Sequence, residues 1–216
     1  LAAGGPRISE ALMILIDDID FKNKKIYIIP PDTRKDILKD FISENELDCL
    51  STKGRESIET YLIRPFDLLF WKYLDEYLNS EYQRHVKHRF LFQKQDGMPL
   101  INSYRYILKT FQKLSVKITN ISYGLHSMRH MYGYYLKNWC PTVNGFGFGF
   151  SLSEVQLFMG HAEIKSTKRY ARDDSFKLIA ELSYANTLTD QANHPNIIKA
   201  KIQTLQKEIL KLQGKI

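Results

Sequence analysis

The chain has 216 residues, 44% hydrophobic and 12% aromatic, enough to bury one substantial core and carry an appendage. Lys and Arg outnumber Asp and Glu by 31 to 24, a formal charge of +7 that favours a polyanionic partner such as nucleic acid or a membrane surface without identifying it. The two cysteines, Cys49 and Cys140, lack CxxC spacing, which argues against a disulfide framework or a zinc site and for a reducing, cytoplasmic location, and no apolar run approaches the roughly 18 residues of a membrane span.

The chain begins Leu1-Ala2-Ala3-Gly4-Gly5, which reads as the tail of an earlier element, so a missing N-terminal portion is expected. From Pro6 to about Ile16, the spacing of Ile8, Leu12, Leu15 and Ile16 predicts a helix. Lys25 to Ile29 reads as a short strand, and residues 30–46 as a small helical insertion carrying Ile37, Leu38, Phe41 and Ile42. Two further strands, Leu47–Leu50 and Ile58–Ile63, are joined by Ser51-Thr52-Lys53-Gly54-Arg55, with Gly54 in the turn and Lys53 at the hairpin tip.

Pro65 opens a helix expected to bury Phe66, Leu69, Phe70, Tyr73, Leu74 and Tyr77, and another runs from about Asn102 to Leu114. A third covers Gly124 to Trp139. The alternating Gly and Phe of 145–150 defeat regular helix, so Cys140–Phe150 reads as a mobile loop. Ser153 is expected to cap a short helix through Phe158, Gly160 to end it, and Glu163–Tyr170 to form another turn or two. Ile198, Ile202, Leu205, Ile209, Leu212 and Ile216 follow a heptad rhythm, which suits either a helix packed on its own domain or one docked on another protomer. The chain therefore divides into a domain over 1–190, mainly α with a small antiparallel β-sheet, and a C-terminal helix over 191–216.

Polar chemistry concentrates in His126-Ser127-Met128-Arg129-His130, within a helix otherwise apolar and aromatic. Such a cluster is costly unless an anion meets it. Further on, Gly160-His161 precedes the basic run Lys165, Lys168 and Arg169, which ends at Tyr170, and Arg7 and Glu10 sit one turn apart near the start. Taken singly, each has a bland reading: a packed Tyr, a satisfied His, a paired Arg. Their order along the chain carries the argument.

That order resembles the tyrosine recombinases, or phage-type integrases. Gly5-Pro6-Arg7-Ile8-Ser9-Glu10 is similar to their TGLRxSE segment, His126–His130 to their HxLRH box and Gln156–His161 to their LGH box. Ser166–Tyr170 is similar to the segment bearing their tyrosine, and Thr52–Glu56 to the hairpin bearing their lysine. The resemblance implies the DNA breaking-rejoining catalytic-domain fold, with Arg7, Lys53, His126, Arg129 and His161 around a scissile phosphate and Tyr170 as nucleophile. Glu10 and His130 would support the site. It also implies double-stranded DNA target sites, a tetrameric assembly on two duplexes, and nucleoid association when bound. Pro6, Met128 and Met159 depart from the usual Leu, and the 30–46 insertion leaves Lys24, Lys25 or Lys35 as alternatives to Lys53.

The chemistry explains these residue types. Attack by a phenol on a phosphodiester concentrates negative charge on the non-bridging oxygens, which guanidiniums bind through paired planar hydrogen bonds. A phenol of pKa about 10 benefits from an imidazole that accepts its proton. The leaving deoxyribose oxygen requires a proton donor, which the resemblance assigns to Lys53. Neither metal nor cofactor is called for, in keeping with the lack of a P-loop or cysteine ligands in the sequence. Arg55, Arg84, Lys87, His88, Arg89, Lys165, Lys168 and Arg169 are candidates for backbone-phosphate contacts, or form only a solvated basic face. A type IB topoisomerase and a DNA-binding module without catalysis are the rival readings.

Overall fold

In a computed structural model of the chain, which describes residues 1–43, 55–142 and 147–191 and the helical positions 202, 206, 209, 210 and 213, helices dominate and one three-stranded antiparallel sheet accompanies them. Helix α1 covers only Ile8–Leu12. Beyond it the chain extends rather than continuing helically to Ile16: Ile16 N–H donates to the Arg89 carbonyl and Leu91 N–H to that of Ile14, both at 2.8 Å. Met13 and Leu15 thus enter one core and Ile14 another, so spacing that suggested a helix serves an extended segment with two buried faces. Asp18 then accepts the Leu15 N–H at 2.8 Å and closes a 3-10 turn over Ile16–Asp18.

The sheet runs β1 (Ile19–Asp20), β2 (Lys25–Tyr27), β3 (Glu59–Thr60), with Ile19 opposite Ile26 and Ile26 opposite Thr60. The expected Leu47–Leu50 strand lies outside the described residues. Ile14, Ile19, Ile26, Ile28, Leu74 and Leu91 form the core between the sheet and helix α2 (Phe66–Ser80). On that helix Leu74 is buried, but Leu69 and Tyr73, expected inside, are 45% and 59% exposed. The contact is a narrow seam, and each of them sits one residue, about 100°, off it.

The insertion is a 3-10 turn at Pro31–Arg34 followed by one turn of α-helix at Lys35–Leu38. Arg34 forms a two-pronged ion pair with Asp18, and Leu38 and Ile42 pack with Met13, Leu15, Phe90 and Ile101. Helix α3 (Tyr104–Thr119) runs five residues beyond the expected Leu114 and is capped by Asn120, a left-handed residue at φ +59°. Helices α4 (His126–Asn138), α5 (Leu152–Met159) and α6 (Ile164–Lys168) gather around the core that holds the site: Ile63, Tyr132, Leu136, Val155, Met159, Tyr170 and Ala171.

Ser151, rather than Ser153, caps α5: its hydroxyl accepts the Glu154 N–H at 3.3 Å while Glu154 accepts the Ser151 N–H at 2.7 Å, a reciprocal box that satisfies two end donors. Gly160 ends α5 at φ +65°, a left-handed turn that aims His161 back toward α4. Helix α7 (Ser175–Gln191) follows Tyr170 and leaves Phe176, Ile179 and Leu182 exposed. Of the heptad positions only Ile202 and Ile209 are described, both helical and exposed. Among the described residues no helix is long and apolar enough to cross a membrane.

Candidate active site

The site grows from one buried carboxylate. Glu10, 2% exposed, accepts the Arg7 backbone N–H at 2.6 Å and the Arg7 Nη1 at 2.8 Å. It also meets Arg55 Nη1 at 3.3 Å and Arg129 Nη1 at 3.9 Å. Three guanidiniums therefore share one carboxylate, so positive charge is in excess where solvent can relieve it least. Among the described residues, buried Nε and Nη2 of Arg55 and buried Nε of Arg129 also find no acceptor. Such an arrangement is suited to receive an anion.

Gly5 brings the first segment against α4. At φ +63° it occupies a region that favours glycine, and an added Cβ would lie 2.3 Å from the Tyr132 ring. The close approach lets the Gly5 carbonyl accept a short bond from Arg129 Nη1. Tyr132, fully buried, donates its hydroxyl to the Tyr61 carbonyl at 2.7 Å, tying the strand segment to the same helix. Burial pushes its phenol far above the ordinary range, against the opposing pull of Arg129 and Arg55.

Helix α4 places His126, Arg129 and His130 on adjoining positions of one face. Arg129 is 1% exposed, and burial, then the neighbouring Arg7, pulls its pKa from 12.5 to about 10 against the opposing pull of Glu10. It still carries its charge at neutral pH. His126 Nε2 lies 2.8 Å from the Tyr170 hydroxyl. Burial and the adjacent His130, Arg129, Arg7 and Arg169 lower the His126 pKa, so at neutral pH this imidazole is neutral and can accept a proton. Burial and Arg172 likewise lower that of His130.

His161 is 3% exposed and lies 2.7 Å by Nε2 from Arg129 Nη2, and 3.0 Å by Nδ1 from Thr167 Oγ1. A guanidinium can only donate, so Nε2 accepts and Nδ1 carries the proton. Burial and Arg129 lower the pKa to about 3, and the ring is neutral. The backbone pairs with Arg55 in an isolated antiparallel bridge, and the Gly160 carbonyl accepts the Glu56 N–H at 3.2 Å.

Tyr170 belongs to the core, 8% exposed, with its ring enclosed by His126, His130 and His161 at centroid distances of 5.2, 4.6 and 5.3 Å. The Arg129 guanidinium sits 5.3 Å over its centroid. An added Cβ on Gly133 would lie 2.9 Å from the Tyr170 Cβ, so α4 needs a glycine where the tyrosine backbone passes. Beyond Tyr170, Asn138 donates to the Arg172 carbonyl at 2.8 Å and accepts the Asp174 N–H at 3.1 Å. Lys177 Nζ bonds the Asn138 and Phe148 carbonyls at 2.9 and 2.8 Å, which anchors the end of the Gly-Phe loop.

Arg7, Glu10, His126, Arg129, His130, His161 and Tyr170 thus come together, whereas Lys53 lies outside the described residues. Of its alternatives, Lys25 pairs with Glu59 at 2.9 Å and Lys35 with Asp32 at 3.8 Å. Arg55, anticipated as a surface DNA contact, has a side chain only 1% exposed and belongs to the Glu10 cluster instead. His88 is also buried, its Nε2–H donating to the Gly97 carbonyl at 2.7 Å. Arg84, Lys87, Lys165, Lys168 and Arg169 are exposed, and exposed Arg89 is paired with Asp17. Thr167, Asn138 and Gly133 were not singled out from the sequence, and only the nearness of Thr167 to Tyr170 marks any of them there.

Residues 1–176 match the family model described as the phage integrase family. Solved structures share the fold: XerA recombinase at 17% identity and TM-score 0.57, over 84% of this chain and 54% of that one. XerH site-specific recombinase, bound to a palindromic difH substrate, follows at 22% and 0.53, over 84% and 42%. The Tn1549 transposon integrase, in complex with a circular intermediate DNA, gives 19% and 0.52, over 85% and 55%. The chain thus spans about half the length of these proteins. No curated protein sequence matches it.

Proposed function

Because the chain belongs to the phage integrase family, as its match over residues 1–176 shows, we propose that it cleaves and rejoins DNA at specific sites through a phosphotyrosine at Tyr170. The carrying observation is the 2.8 Å approach of His126 Nε2 to the Tyr170 hydroxyl, beside the buried arginine cluster. In this reading the Tyr170 oxygen attacks phosphorus and its proton passes to His126 Nε2. The bond from phosphorus to the deoxyribose 5′ oxygen breaks, and that oxygen takes a proton, a role the family resemblance gives to Lys53. The product is a 3′-phosphotyrosine ester and a free 5′ hydroxyl. Because one ester replaces another, the reverse attack reseals the strand.

Arg7 and Arg129 neutralise the charge that builds on the non-bridging oxygens. Exposed Lys165, Lys168, Arg169, Arg84 and Lys87 supply salt-sensitive contacts to the DNA backbone. Residues 1–190 act as the catalytic domain and 191–216 as an oligomerisation segment. The unburied Phe176, Ile179 and Leu182 on α7 support self-association, as a tetramer on two duplexes, and the family suggests movement of a mobile element.

The test is incubation with a pool of nicked duplexes of randomised sequence, followed by denaturing capture of protein-linked DNA and sequencing. Adducts enriched in one sequence and lost in Tyr170→Phe are expected, and the enriched site should then support strand exchange between two duplexes. Relaxation of supercoiled plasmid without exchange would favour a topoisomerase, and binding without adduct would favour a module lacking catalysis.

A further inference from the structure

The most informative group outside the expected set is Thr167, fully buried on α6. Its hydroxyl lies 3.0 Å from His161 Nδ1, and its backbone carbonyl accepts the N–H groups of Tyr170 and Ala171, both at 2.9 Å. Side chain and main chain of one residue thus hold two different parts of the site.

We infer that Thr167 is a positioning residue that sets the tautomer of His161, so that His161 serves as an acceptor holding Arg129, and that it couples this arginine to the placement of Tyr170. Arg129 Nη2, 2.7 Å from His161 Nε2, can only donate. Nε2 must then present its lone pair, and the ring proton sits on Nδ1, where it needs a buried acceptor. Thr167 Oγ1 is that acceptor. Were the proton on Nε2 instead, it would face a guanidinium and leave Nδ1 without a donor, or turn Arg129 away. Among the described residues, the remaining polar contacts of Arg129 are the Gly5 and Met159 carbonyls and Glu10, so His161 completes its fixation from the side facing Tyr170.

The effect on cleavage rests on the proposed function; the tautomer does not. Ring nitrogen-15 NMR of the whole chain without DNA reports it directly. Wild type should show His161 protonated at Nδ1, Thr167→Ser should retain that form, and Thr167→Val should lose it as the dominant one. With the sequence selected from the randomised duplex pool, Thr167→Val should lower the maximal rate of adduct formation by about 10- to 100-fold, the range found when the partner that orients a metal-ligating histidine is removed, with little change in half-saturating DNA. Thr167→Ser should restore most of the rate. A wild-type His161 protonated at Nε2, or a folded Thr167→Val that keeps both tautomer and rate, overturns the inference. If wild type forms no adduct, the enzymatic reading fails, and the NMR comparison alone decides the role of Thr167.

Discussion

His126 Nε2 and the Tyr170 hydroxyl stand 2.8 Å apart, brought together across 44 residues of chain, within reach of a direct proton transfer. Burial and a cationic neighbourhood lower the imidazole pKa from 6.5, so the base stays neutral below the pH at which a free histidine takes up a proton. The rate of adduct formation should therefore hold from pH 8 to about 6.5 and fall only at lower pH. Rates measured across pH 5 to 8 check this, and an acid limb centred above 6.5 would remove His126 as acceptor in its observed surroundings.

Glu10 is the shared counter-charge of Arg7, Arg55 and Arg129. Glu10→Gln keeps an acceptor for the Arg7 N–H but removes the charge, leaving buried guanidiniums uncompensated, which costs about 3–5 kcal/mol. Urea denaturation of the two proteins should show a loss of that size. A loss below about 1 kcal/mol would mean that the ion cluster contributes little.

Gly133 separates helix propensity from packing. Alanine at an exposed helical position would stabilise by up to about 1 kcal/mol, but here its Cβ would meet the Tyr170 Cβ at 2.9 Å and the Met159 Sδ at 3.0 Å. Overpacking costs about 1–3 kcal/mol, so Gly133→Ala should be destabilising on balance. Displacing the tyrosine by an ångström should slow adduct formation by roughly 100-fold. Parallel thermal melts and adduct rates test both parts, and an unslowed, stabilised variant would contradict them.

His161 links the site to pH-dependent stability. Its pKa is lowered from 6.5 to about 3 by burial and by Arg129, then Arg7 and Arg55, so below pH 6.5 the unfolded chain binds a proton that the folded chain refuses. Stability therefore falls as pH drops, by about 1.4 kcal/mol per pH unit from this group, reaching on the order of 4 kcal/mol near pH 3. Urea midpoints between pH 6.5 and 4.5 should fall less steeply in His161→Gln than in wild type. Equal slopes would show that His161 does not carry the dependence.

Much of this site was legible because helical spacing is local. The steps from His126 to Arg129 and His130 place two imidazoles and a guanidinium on one face whatever the tertiary context. What stayed hidden depends on distant pairing. Strand β1 is two residues long and is defined by its pairing with Lys25 and Ile26, without an alternation long enough to show in sequence. Arg55 looked like a surface charge because nothing local reveals that its backbone pairs with His161. After Leu12, apolar residues feeding two cores imitate a helical stripe, and Ser151 and Ser153 both stand near the start of α5, so only the Ser151–Glu154 reciprocal bonds identify the cap.

The proposed reaction requires that Tyr170 itself become joined to DNA. Protease digestion of the captured adduct, followed by mass spectrometry of the nucleotide-bearing peptide, tests it most directly. A nucleotide phosphate on the Tyr170 oxygen, absent from Tyr170→Phe, is the predicted result. A phosphate carried by any other side chain, or an adduct that persists in Tyr170→Phe, would contradict the account.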